Sequence, residues 1–196
     1  LINDLGFGIF PAMVVGVLVG IVCGLISGIM VAHFEVPALI ATLAMQTIAR
    51  GFAFIMTQGI PVYGLPESIK TLGQGYFLGI PIPVYILALV FFIGWWMLEQ
   101  TSFGRHLYAI GGNEEVARLS GINVLVKKIQ IYSLSGFFAG LSGVIMLSRL
   151  NSGQPATSEG FEMDVITAAV LGGVSVAGGQ GKIINVVAGV LIMGML

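Results

Sequence analysis

The stretch Ile9–Ala32, "IFPAMVVGVLVGIVCGLISGIMVA", contains no charged residue. A run of that length points to one kind of structure. About 20 helical residues, each rising 1.5 Å, cross the hydrocarbon core of a bilayer. A helix also satisfies its own backbone there, where no water can do so. Residues 129–148 are equally uncharged, 82–98 form a shorter uncharged run, and 36–57 are apolar apart from Arg50. Two shorter apolar stretches, 165–177 and 183–196, are broken by "GGVSVAGGQGK" at 172–182. The mean hydropathy is +1.02, and the segments are continuously apolar rather than alternating, which argues against a β-barrel. The expected fold is all-α, a polytopic transmembrane helical bundle with glycine-broken helices.

Several function classes are excluded at this level. A net charge of −1 with eight Lys and Arg residues gives no nucleic-acid signature. Cys23 stands alone inside an apolar run, so neither a disulfide nor a thiolate cluster is available. His33 and His106 are isolated and lack metal spacing, and no catalytic set is visible. The "GGVSVAGGQGK" stretch fails as a phosphate-binding loop, because Val176 stands where Gly is required and Ile183 where Ser or Thr is required. It reads either as a glycine break lining a cavity, as in discontinuous transporter helices, or as a simple turn between ordinary helices.

Charge is concentrated in one place. Arg105, Glu114, Glu115, Arg118, Lys127 and Lys128 all fall between residues 105 and 128. Four of them are basic, and the positive-inside rule places this connection in the cytoplasm. Alternation then puts residues 58–81 and 149–163 outside with the N-terminal "LINDLG", and residues 33–35 inside. Trp95 and Trp96 stand near the inner end of their run, where indole rings favour the interface. Within the basic connection, Glu114 to Leu119 is expected to form a short helix. Asn113 is its N-cap, Glu114 and Glu115 complement its N-terminus, and Gly121 ends it.

Two patterns concern the spans themselves. Gly16, Gly20, Gly24 and Gly28 repeat at a spacing of four, forming a smooth stripe against which another helix can pack. Gly136 and Gly140 look like a second such face. On the 36–57 segment, Thr42, Gln46, Arg50 and Thr57 fall within a sector of roughly 80°. An arginine in a span should face protein or a watery cavity. This face therefore either lines a polar solute pathway, or holds Arg50 in internal pairing or near the outer interface. Asp164 is the other ionisable candidate for the pathway.

"GRHLYAIGGNEEVARLSGI" (104–122) resembles the cytoplasmic loop of permease subunits of bacterial ABC sugar importers, in the ribose/xylose/galactose branch and closest to the ribose type. Glu115, Val116, Ala117 and Gly121 match the importer pattern E-A-A-x-x-x-G, with Val in place of the first Ala. In the same order, "VPALIATLAMQTIARG" (36–51), "GLPESI" with "GQGYFLGIPIPV" (64–84) and "SRLNSGQPATSEGFEMDVITAAVLGGVSVAGGQGK" (148–182) resemble that branch too.

The resemblance covers nearly the whole chain. It implies a single transmembrane permease domain over 1–196, with a cytoplasmic coupling loop at 101–128, forming part of an inner-membrane protein of about ten spans. The opening "LINDLG" without Met and the close at "LIMGML" inside an apolar run agree with a fragment. The implied function is import of a ribose-like monosaccharide.

The implied partners are a periplasmic sugar-binding protein, a second permease subunit, and a cytoplasmic ATP-binding subunit. ATP and Mg would be held by that ATPase subunit, with no cofactor in this chain. Asn113, Glu114, Glu115, Ala117, Arg118 and Gly121 would form the docking element, with Gly104 and Arg105 setting its approach. The outer loops 58–81 and 149–163 would receive the binding protein. A secondary transporter or channel-like protein without an ATPase is the alternative, and it would need ionisable residues at the membrane midplane.

Overall fold

The computed structural model describes residues 9–195. The chain divides into two compact units, Leu1–Tyr85 with Lys128–Thr157, and Ile86–Lys127 with Ser158–Leu196. The expected position of "LINDLG" lies outside the described residues.

In the first unit, α1 (Ile9–Ala32) carries Pro11 in its first turn, where a missing N–H costs nothing. It ends where His33 N–H donates to the Ile29 carbonyl at 2.9 Å, and Glu35 takes φ +55° to redirect the chain. Pro37 then stands before α2 (Ala38–Thr57), which Gln58 closes in a left-handed conformation. Thr42, Thr47 and Thr57 each donate their hydroxyl to a carbonyl one turn earlier. This is how polar side chains are satisfied inside an apolar helix.

The connection that follows is more ordered than a loop. It holds α3 (Glu67–Gln74) and a small hairpin, β1 (Tyr76–Phe77) with β2 (Ile80–Pro81), turned by Leu78 and Gly79 at positive φ. Tyr85 donates its hydroxyl to the Phe77 carbonyl at 3.1 Å, fixing the hairpin to the helix behind it.

Most of α7 (Val124–Leu150) belongs to the first unit. Its Gly136 and Gly140 meet the glycine stripe of α1. A methyl built on Gly20 would lie 2.9 Å from Gly140 Cα, and one on Gly24 would lie 3.0 Å from Gly136 Cα. The two stripes read separately in the sequence are the two halves of one interface. At the far end of α7, Ser148 is fully buried and donates to the Ile69 carbonyl, while Gln74 donates to the Arg149 carbonyl at 2.9 Å. Val62 and Gly153 exchange backbone hydrogen bonds at 2.8 and 2.9 Å.

The second unit begins within α4 (Ile82–Trp95), which continues as one π-helical turn, Trp96–Gln100. Then come α5 (Ser102–Gly112), α6 (Glu114–Leu119), α8 (Phe161–Leu171) and α9 (Ile183–Met195). A small core of Ile110, Ala117 and Val124, with Ile122 against it, holds the charged segment together. Gly172 and Gly189 bring α8 and α9 into backbone contact: a methyl on Gly172 would lie 2.7 Å from Val186 Cα.

Among the described residues four helices are long and apolar enough to cross a membrane: Phe10–Ala32, Ala38–Thr57, Ile82–Gln100 and Val124–Leu150. Among the described residues the only strands are the two-residue pair of the hairpin. The all-α reading holds.

Candidate functional site

The cytoplasmic reading of residues 101–128 rests on charge, and the structure supplies its geometry. Thr101 caps α5, its side chain accepting from Gly104 N–H at 3.4 Å. Gly104 is buried where α5 folds back on the π-helical turn, and a methyl there would stand 2.6 Å from Leu98 Cα. Only glycine allows that approach. Arg105 is exposed on the next position. Lys127 lies over the Phe103 ring, 5.2 Å from its centroid, tying the start of α7 to α5 by a cation–π contact.

The helix expected at Glu114–Leu119 is α6, with the same bounds. Asn113 accepts from Val116 N–H at 3.1 Å, and the acidic Glu114 and Glu115 stand in the first turn as the helix dipole favours. Ala117 is 2% exposed and turns inward. Val116 at 57% and Leu119 at 83% turn outward with Glu115 and Arg118. Arg118 and Glu114 pair one turn apart at 3.6 Å. Gly121 takes φ +81°, with open space where a side chain would go. Its glycine answers a backbone demand rather than a packing one. The element therefore presents apolar and charged side chains outward on a backbone braced from within.

The sequence did not separate α5 from the loop. Phe103, Leu107 and Ile110 recur at helical spacing, a signal that could have found it.

A cavity of about 670 Å³ lies in the first unit between α1, α2, α7 and the start of α3. Thr42 and Gln46 line it, as do Gly16, Gly20 and Gly24; Ser27, Tyr132 and Ser135 add further polar groups. No charged side chain belongs to its described lining. Arg50, half-buried on α2, is outside that lining, and Asp164 stands exposed in the first turn of α8 in the second unit. Of the four pathway candidates, Thr42 and Gln46 share the cavity lining, while Arg50 is outside it and Asp164 belongs to the other unit. Gly28 packs on Tyr132 and Ile129 of α7. Among the described residues no group of His, Cys, Asp and Glu could hold a metal ion.

Apolar helices long enough to cross a membrane, joined by a capped helix that turns charged and apolar side chains outward, define a multi-pass helical membrane protein. The chain belongs to the family described as branched-chain amino acid transport system / permease component, whose model matches residues 1–196. It is 46% identical over 171 residues to the ribose import permease protein RbsC of Bacillus subtilis (strain 168), an overlap covering 86% of this chain and 53% of that protein. The RbsC of Escherichia coli (strain K12) is 47% identical over 173 residues, 86% of this chain and 54% of that one. The L-arabinose transport system permease protein AraH of E. coli (strain K12) is 47% identical over 167 residues, 85% and 51% of the two chains. The chain spans about half the length of the curated relatives it matches. No solved structure matches it.

Proposed function

We propose that this chain is part of a permease subunit of an ATP-driven importer in the bacterial inner membrane, and that its cargo is a pentose. The substrate class is supported by relatives named for ribose and for L-arabinose at nearly equal identity. It is also supported by a cavity whose described lining carries hydroxyl and amide groups but no charge, as suits a neutral polyol. A periplasmic sugar-binding protein delivers the sugar to the outer segments 58–81 and 149–163. Two permease subunits form the path, and cytoplasmic ATPase subunits, which hold ATP and Mg, drive it.

The observation that carries the ATPase assignment is α6. Its backbone is fixed by Asn113, Ala117 and Gly121, while Val116 and Leu119 are held out to be covered. Exposed apolar side chains on a short capped helix, rimmed by Glu115 and Arg118, suit the core and rim of a docking contact. Gly104 and Arg105 lead into it. The secondary-transporter alternative gains nothing, since the described cavity lining holds no Asp, Glu, His, Lys or Arg to couple an ion.

The test is reconstitution of the full-length permease in proteoliposomes with its ATPase and binding protein. D-ribose and L-arabinose uptake should require ATP, and Leu119→Asp should abolish co-purification of the ATPase. Uptake that persists without the ATPase overturns the assignment.

A further inference from the structure

We propose that Tyr108 is a positioning residue for transport: it latches the end of the coupling segment to the glycine-rich 172–182 turn, so that displacement of α6 is passed to α8 and α9. This deepens the importer reading and rests on it.

All the contacts lie within the second unit. Tyr108, on α5, is half-buried and donates its hydroxyl to the Gly181 carbonyl at 2.8 Å, across 73 positions of sequence. Two residues before α6 begins, the backbone of Gly112 meets the same turn. A methyl on Gly179 would lie 2.7 Å from Gly112 N and 2.9 Å from the Gly111 carbonyl carbon; one on Gly111 would lie 3.0 Å from Gly179 Cα. Backbone touches backbone, with no flexible side chain between to absorb a shift.

The turn is itself closed. Ser175 N–H donates to the Gln180 carbonyl and Gly178 N–H to the Ser175 carbonyl, each at 3.0 Å, with Gly178 and Gly179 at φ +92° and +72°. Behind it, α8 and α9 are joined through Gly172 and Gly189. Among the described residues these two packed elements meet through the Tyr108 hydrogen bond and the stacking of Gly111 and Gly112 on Gly178 and Gly179. Packed elements move as units rather than deforming continuously. The glycines set the distance between the bodies and Tyr108 sets their register, because its bond is the directional one.

The experiment uses the full-length permease reconstituted with its ATPase and binding protein, reading D-ribose uptake, ATP hydrolysis and their ratio. In Tyr108→Phe, which removes one oxygen and leaves the backbone untouched, insertion, ATPase co-purification and hydrolysis should stay at wild-type levels. Sugar taken up per ATP should fall about tenfold, the scale of one lost buried hydrogen bond. Gly179→Ala should lower the same ratio by forcing the two bodies apart. A merely structural tyrosine would lower uptake and hydrolysis together and leave their ratio unchanged. An unchanged ratio in Tyr108→Phe overturns the latch, and this variant decides alone if Gly179→Ala does not insert. Wild-type uptake that ignores ATP would overturn the importer reading and the latch with it.

Discussion

Gly20 of α1 and Gly136 of α7 face one another backbone to backbone. A methyl on either would overlap the other's carbonyl oxygen. Membrane helices gain little from the hydrophobic effect on associating and depend on close van der Waals packing. Gly20→Leu should therefore separate the pair, with the penalty of overpacking, about 1–3 kcal/mol or more. Thermal unfolding of the full-length permease in detergent should show the loss. Gly143→Ala on the same helix, where a methyl meets nothing within 4 Å, should leave the melting temperature unchanged or slightly raised.

Gly121 poses the opposite case, open space but a left-handed backbone at φ +81°. Gly121→Ala should cost about 1 kcal/mol through strain alone. Gly121→Asn should cost less, since Asn tolerates this region, while Gly121→Leu should behave like Ala. Uptake per ATP should rank Gly, then Asn, then Ala with Leu. A Leu variant far worse than Ala would mean that the free volume is filled by the docked ATPase.

Asn113 and Arg118 should differ in what they contribute to α6. Asn113→Ala removes an N-cap contributing about 1 kcal/mol. Arg118→Gln breaks an ion pair whose members are 70% and 41% exposed, and such pairs contribute about 0–1 kcal/mol. Chymotryptic cleavage after Leu119 should quicken in the first variant and stay near the wild-type rate in the second.

Gln46 and Thr42 share the cavity, whereas Arg50 is outside its described lining. Gln46→Leu should reduce pentose uptake about fivefold to tenfold through a lost sugar hydrogen bond, with ATPase docking intact. Arg50→Gln should disturb stability before it disturbs sugar selectivity. Competition of ribose by arabinose across these variants would separate the two effects.

What could be read directly from the residues was whatever depends on neighbours in sequence. The spans followed from uncharged length, and α6 followed from Asn113, its acidic first turn and Gly121. The glycine stripes of α1 and α7 were visible too, but their pairing was not, because nothing local in residues 16–28 encodes a meeting with residues 136–140. The π-helical turn Trp96–Gln100 looked like continued apolar helix. Its cause is tertiary, the return of α5 onto Leu98 at Gly104. The hairpin at 76–81 was announced only by Leu78–Gly79, and the Tyr108–Gly181 bond spans too much chain to leave any local trace. Thr42 and Gln46 line the cavity and Arg50 does not, a division that a wheel cannot give because it does not say how deep along the helix a cavity extends.

The four spans bury little of themselves within this chain: 17%, 6%, 0% and 11% of their apolar windows. Their greasy side chains are sheltered from water by what surrounds them in a membrane, acyl tails and neighbouring spans. Pulling these helices apart inside a bilayer would expose them to more lipid, not to water. The heat-capacity increment and denaturant slope of that step should therefore be small, because both scale with surface newly wetted. Acyl-chain length and detergent choice, rather than urea, become the natural variables for measuring how firmly this fold holds.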